Sequence, residues 1–134
     1  MFDYASARQS LKHKQDQAQA QRFSLWQKAK ADSVTIIEMI IEKYSPEQII
    51  QWGSILKPKH FSEVSDIDLA ISGVDSIVFM NLLADAESLT QFSLDLVRWE
   101  ELCDPFQRII SMKGIVVYEH GRSLTLNCWN PGNL

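Results

Sequence analysis

The chain has 134 residues, 46% of them apolar, which is the length of one domain with enough apolar side chains to bury a core; disorder of the whole is excluded. The net charge of −4 argues against a general nucleic-acid binder, because such proteins need a broad basic surface. Cys103 and Cys128 do not make a disulfide framework, no Cys/His spacing resembles a zinc site, and the start MFDYASARQS has no signal-peptide core. No apolar run is long enough to span a bilayer, so the expectation is a protein of the reducing cytoplasm, away from the membrane.

Residues 3–31 are rich in Gln, Lys and Ala and hold no Gly or Pro, a composition that favours helix. From Phe23 the apolar residues Trp26, Ala29, Val34, Ile37, Ile40, Ile41 and Tyr44 recur at helical spacing. One long helix to about Tyr44 is therefore expected, its second half packed on the body and its first half in solvent. This divides the chain into an N-terminal helical arm, 1–32, and a folded domain, 33–134. Charge is uneven along it. Residues 1–31 carry six Lys or Arg against two acids, giving +4; the remainder carries seven against fifteen, giving −8.

Pro46 ends the helix, because the residue before a proline is steered out of the helical region. Ser45-Pro46-Glu47-Gln48 has the form of a cap with proline at the first helical position, so a single turn is expected before a strand Ile49–Trp52. Gly53-Ser54 follows. A short helix from Ser54 to Lys57 should stop before Pro58, and Lys59 to Ser65 reads as a polar loop. The next strand is Asp66–Ser72. Residues 75–90 fit a helix with one buried face, and Gln91 to Trp99 a strand with Asp95 between apolar neighbours. Asp104-Pro105 opens a helix over 104–113 that Gly114 ends. Ile115–Tyr118 is a short strand, and 119–134 a final strand or docked tail.

The chemistry gathers between Ile49 and Ser72. Side chains alternate along a strand, so Ile67, Leu69 and Ile71 share one face while Asp66, Asp68, Ala70 and Ser72 share the other. The two carboxylates are then about 7 Å apart along the strand. Like charges that close repel unless a cation lies between them. Oxygen ligands suit a hard cation such as Mg²⁺, which keeps waters and shares substrate phosphates. Gly53 allows close approach of backbone to a ligand, and Ser54, if it opens a helix, offers an anion free N–H groups and a hydroxyl. A metal–nucleoside triphosphate would occupy both halves. Asp95, an expensive charge mid-strand, is expected beside Asp66 and Asp68. Trp52 either flanks this pocket or joins the core.

Gly53-Ser54, eleven intervening residues, Asp66-x-Asp68 and then Asp95 on a later strand together resemble the nucleotidyltransferases of the DNA polymerase beta superfamily. Size and layout are similar to the minimal nucleotidyltransferases, often paired with a HEPN-domain toxin. The resemblance covers roughly 33–119, including the closing segment IISMKGIVVY (Ile109–Tyr118). It implies an α/β (α+β) nucleotidyltransferase fold: a small mixed β-sheet flanked by helices, here with a long N-terminal helix. It implies that Gly53 and Ser54 bind the triphosphate and that Asp66 and Asp68 hold two Mg²⁺ ions. Asp95 would ligate the second ion and help deprotonate the attacking hydroxyl. Family members commonly continue Gly-Ser with Arg-Ala-Arg-Gly; here Ile55, Leu56, Lys57, Pro58 and Lys59 follow, leaving Lys57 or Lys59 as the phosphate-reaching cations. The implied activity is transfer of a nucleoside monophosphate, AMP from ATP, to a hydroxyl on a HEPN-type partner, with this chain as antitoxin. The alternative is a nucleotidyltransferase fold that neutralises its partner by contact with little catalysis. Homo- and hetero-oligomers both stay open.

Overall fold

Helix α1 (Tyr4–Tyr44) runs 41 residues unbroken in the computed structural model, which describes residues 3–121. Asp3 caps it, its carboxylate accepting from the amides of Ala5 and Ser6 at 3.1 and 3.3 Å. The sequence pattern decides which part packs. Trp26, Ala29, Ser33, Ile36, Ile37 and Ile40 are buried, whereas nearly every residue ahead of Leu25 is exposed. Ser45 ends the helix in the left-handed region, φ 47° and ψ 58°.

The single turn expected after Pro46 does not form. The Glu47 amide donates to the Ser72 carbonyl at 2.9 Å, and the Glu47 carbonyl accepts from the His120 amide at 2.8 Å. Both backbone groups are thus claimed by neighbouring chain, and an extended course satisfies them where a helical turn cannot. Strand β1 (Gln48–Trp52) starts at once.

Three more strands join it: β2 (Asp66–Ser72), β3 (Ser93–Arg98) and β4 (Ile115–Glu119), in the sheet order β3-β2-β1-β4. β1 pairs antiparallel with β2 and β4, and β2 pairs parallel with β3. A parallel pair needs a long crossover, and α2 (Ser76–Glu87) supplies it, capped by Asp75 accepting from the Val78 amide at 2.8 Å. The sheet is mixed and flanked by helices, as expected.

The faces of the sheet have different covers. Ile49, Ile67, Leu69, Ile71 and Leu96 point to one side and are buried with Trp26, Ile36, Ile37, Ile40 of α1 and Phe79, Leu82, Ala86 of α2. Gln51 lies on this side too, fully buried, its amide donating to Ser33 Oγ of α1 at 2.7 Å. On the other side Ile50 and Ala70 pack beneath Ile110 of α3 (Asp104–Lys113), with Trp52, Val97, Trp99, Leu102 and Phe106 around them. α3 is short, so part of this second face stays uncovered.

The connection after β1 also differs from expectation. It makes two single turns of 3₁₀ helix, Ser54–Leu56 and Pro58–His60, in place of one short helix and a polar loop. Gly53 and Pro58 fence the first turn to three residues, and Pro58 suits the start of the second because its missing N–H is not needed there. Ile55 and Leu56 turn into the core. Cys103 is a free, exposed thiol. The strand or tail expected over 119–134 lies mostly outside the described residues, as does Cys128. No helix among the described residues is long and apolar enough to cross a membrane.

Candidate active site

Three strand ends meet on the second face of the sheet. Pairing in register brings Asp68 of β2 opposite Asp95 of β3, and Asp66 opposite Ser93. Register partners on neighbouring strands point to the same side, and Asp66 lies two residues from Asp68, so the three carboxylates share one face. On the other flank Asp68 is paired with Trp52, the last residue of β1. The next residue, Gly53, closes the group from the side.

Gly53 has φ 84° and ψ −161°, a conformation open to glycine and strained for any other residue. A Cβ placed there would lie 2.0 Å from Oδ2 of Asp68 and 2.9 Å from its Cγ. The main chain thus passes directly against the carboxylate, and only glycine leaves room. Ser54 opens the 3₁₀ turn immediately after. Gly53, Ser54, Asp66, Asp68 and Asp95 are therefore neighbours. Lys57 and Lys59 are exposed on the following turns. Lys59 lines a cleft with Pro58 and with Gln19, Arg22 and Phe23 of α1.

Electrostatics set Asp68 apart. It is only 7% exposed. Burial pushes its carboxyl up to about 7; the charges of Asp95 and Asp66 and a hydrogen bond with Asp95 act in the same direction. The group carries more negative charge than it can hold alone, the condition under which a cation binds most favourably. Among the described residues, no three His, Cys, Asp or Glu side chains form a group that could hold a metal ion unaided. An ion such as Mg²⁺ does not require that, since it is held by one or two carboxylates, waters and substrate phosphate. The donor set is all oxygen, which fits such an ion and not a zinc-type one.

Trp52 joins the second core cluster, edge-on to Phe106 with ring centroids 5.6 Å apart, and also borders Asp68. Its indole N–H is buried and has no hydrogen-bond partner among the described residues. One contact is invisible to sequence pattern. Trp26 of α1 donates from Nε1 to the Ile55 carbonyl at 2.7 Å, a buried bond that ties the long helix to the turn carrying Gly53 and Ser54. Helical spacing marks Trp26 as a core residue; nothing local shows where its N–H points.

A family model described as polymerase beta, nucleotidyltransferase matches residues 35–123. No curated protein matches the sequence. Several solved chains share the fold, two of them from toxin–antitoxin structures. One, from a toxin–antitoxin crystal structure with AMP-PNP, is 19% identical with a TM-score of 0.54, over 66% of this chain and 74% of that one. The other, from a mutant of the toxin–antitoxin MntA-HpeT, is 20% identical with a TM-score of 0.53, over 65% and 72%. The matched span begins within the packed half of α1 and takes in every strand among the described residues, so the chain belongs to the polymerase beta nucleotidyltransferase family.

Proposed function

We propose that the chain transfers a nucleoside monophosphate, AMP from ATP, to a hydroxyl of a partner protein, and serves as the antitoxin of a HEPN-type toxin. The observation that carries the reading is Asp68 aligned with Asp95 behind the Gly53 backbone. The toxin–antitoxin origin of two structural neighbours, one described with AMP-PNP, supports the partner class and the donor.

Gly53 brings backbone up to the triphosphate without a side chain in the way, and Ser54 adds its hydroxyl. Lys57 contributes a point charge on the next turn. Asp66, Asp68 and Asp95 would hold two Mg²⁺ ions together with substrate phosphate and water, and the ions would neutralise charge on the attacking and leaving oxygens. Asp95 receives the proton of the acceptor hydroxyl. The acceptor oxygen bonds to the α-phosphorus while the bond from that phosphorus to the α–β bridging oxygen breaks, and pyrophosphate leaves. The division stays as an arm, 1–32, and a transferase domain, 33–134, with Trp26 and Ala29 of the arm packed in the core of the domain.

A specific observation favours the contact-only alternative: Ile55 and Leu56 enter the core, so the turn after Ser54 offers few cations to a phosphate. One experiment separates the two. The chain is incubated with Mg²⁺, ATP labelled at the α-phosphate and the product of any adjacent small gene. Label on the partner is expected, reduced about a hundredfold or more in Asp66→Asn and Asp68→Asn. A partner left unlabelled yet silenced equally by both variants overturns the enzymatic reading in favour of contact alone.

A further inference from the structure

Outside the carboxylate group, the cleft between α1 and the Pro58–His60 turn stands out. Its volume is about 290 Å³, and Gln19, Arg22, Phe23, Pro58 and Lys59 line it. Three of the five come from the part of α1 ahead of the family match. Arg22 and Lys59 make no ion pair among the described residues, although the body is acidic. Phe23 is 50% exposed, a large apolar surface left beside two cations. Arg22 also borders a second hollow with Leu25, Glu63 and Val64, and Val64 is exposed as well. An exposed aromatic ring beside an arginine is the pairing that protein-binding surfaces favour.

We propose that this cleft docks an acidic segment of the partner protein, Arg22 and Lys59 taking its carboxylates and Phe23 and Pro58 an adjoining apolar side chain. The inference rests on the reading that the chain acts on a protein. Charge complementarity selects the occupant: a short acidic stretch meets two cations here that have no ion-pair partner among the described residues. A nucleic-acid strand carries a charge at every nucleotide and would run on past Glu63, whereas a short acidic stretch can end at the two cations. The docking surface is also joined to the transferase. Phe23 stacks on Trp26 with centroids 5.5 Å apart and planes 30° apart, and Trp26 holds the Ile55 carbonyl next to Ser54. Partner and nucleotide are gripped from the same support.

The test uses the full chain and a fluorescent peptide of glutamates with one central phenylalanine, read by anisotropy. Binding is expected to fall with salt, to weaken about tenfold in Arg22→Glu, and to weaken further when Lys59→Glu is added. Phe23→Ser should weaken it by a salt-independent factor. Asp66→Asn should leave it as it is. Binding indifferent to Arg22→Glu, equal binding of a lysine version of the peptide, displacement of the peptide by ATP, or tighter binding of a single-stranded oligonucleotide would each overturn the proposal. Failure of label transfer with peptide binding intact sinks only the enzymatic reading; peptide binding that ignores Arg22 sinks only this one.

Discussion

Gly53 is the residue whose replacement is easiest to reason about. Alanine there meets two penalties at once, a positive φ and a Cβ 2.0 Å from the Asp68 carboxylate. Gly53→Ala is expected to cost about 1–3 kcal/mol, seen as a lower urea midpoint, and to abolish ATP binding by calorimetry even where the variant is folded. Asp68 gives a pH prediction. Its carboxyl titrates near 7 in the fold, above the usual carboxylate value. The folded chain therefore binds more protons than the unfolded one between those pH values. That stabilisation is complete below the unfolded pKa and is lost as pH rises through about 7. In chelator, Tm should fall from pH 5 to 8 at fixed salt; Asp68→Asn should flatten the fall, and added Mg²⁺ should flatten it only when Asp68 is intact. A slope unchanged by Asp68→Asn refutes the assignment. Period-two alternation was enough to put Asp66 and Asp68 on one face from sequence. Their meeting with Asp95 depends on the β2–β3 register, which no local pattern encodes.

Elements whose partners are near in sequence were legible, and those governed by distant partners were not. α1 could be read from composition and spacing, α2 from its one apolar face and α3 from Asp104-Pro105, although the cap position there falls one residue earlier, on Cys103, with no side-chain bond. The turn that Pro46 suggests does not form because Ser72 and His120, far along the chain, claim the Glu47 backbone. The same holds for Trp26, 29 residues from the carbonyl it holds. Trp26→Phe keeps an aromatic ring against Phe23 but leaves the buried Ile55 carbonyl without its donor. A loss of about 1–3 kcal/mol is expected by chemical denaturation. ATP affinity should fall as well, because the turn that begins at Ser54 loses its brace; unchanged affinity in a destabilised variant would reduce Trp26 to a core residue.

For the molecule as a whole, the arm and the body follow different rules. Residues 3–17 are almost all exposed and contribute no buried apolar side chain. Deleting 1–17 should therefore leave the fold intact, with Tm unchanged within about 3 °C, since surface changes of this kind stay near half a kcal/mol. A large drop would mean that the arm folds against something in the intact chain.

The length of α1 has a practical consequence for anyone purifying the protein. Forty-one residues of helix make a rod of about 60 Å. A globule built from the other described residues spans roughly half that. Such a shape drags through a sizing column like a heavier particle, so a lone copy should elute early and be mistaken for a pair. Light scattering, which weighs rather than measures girth, is the way to count copies here.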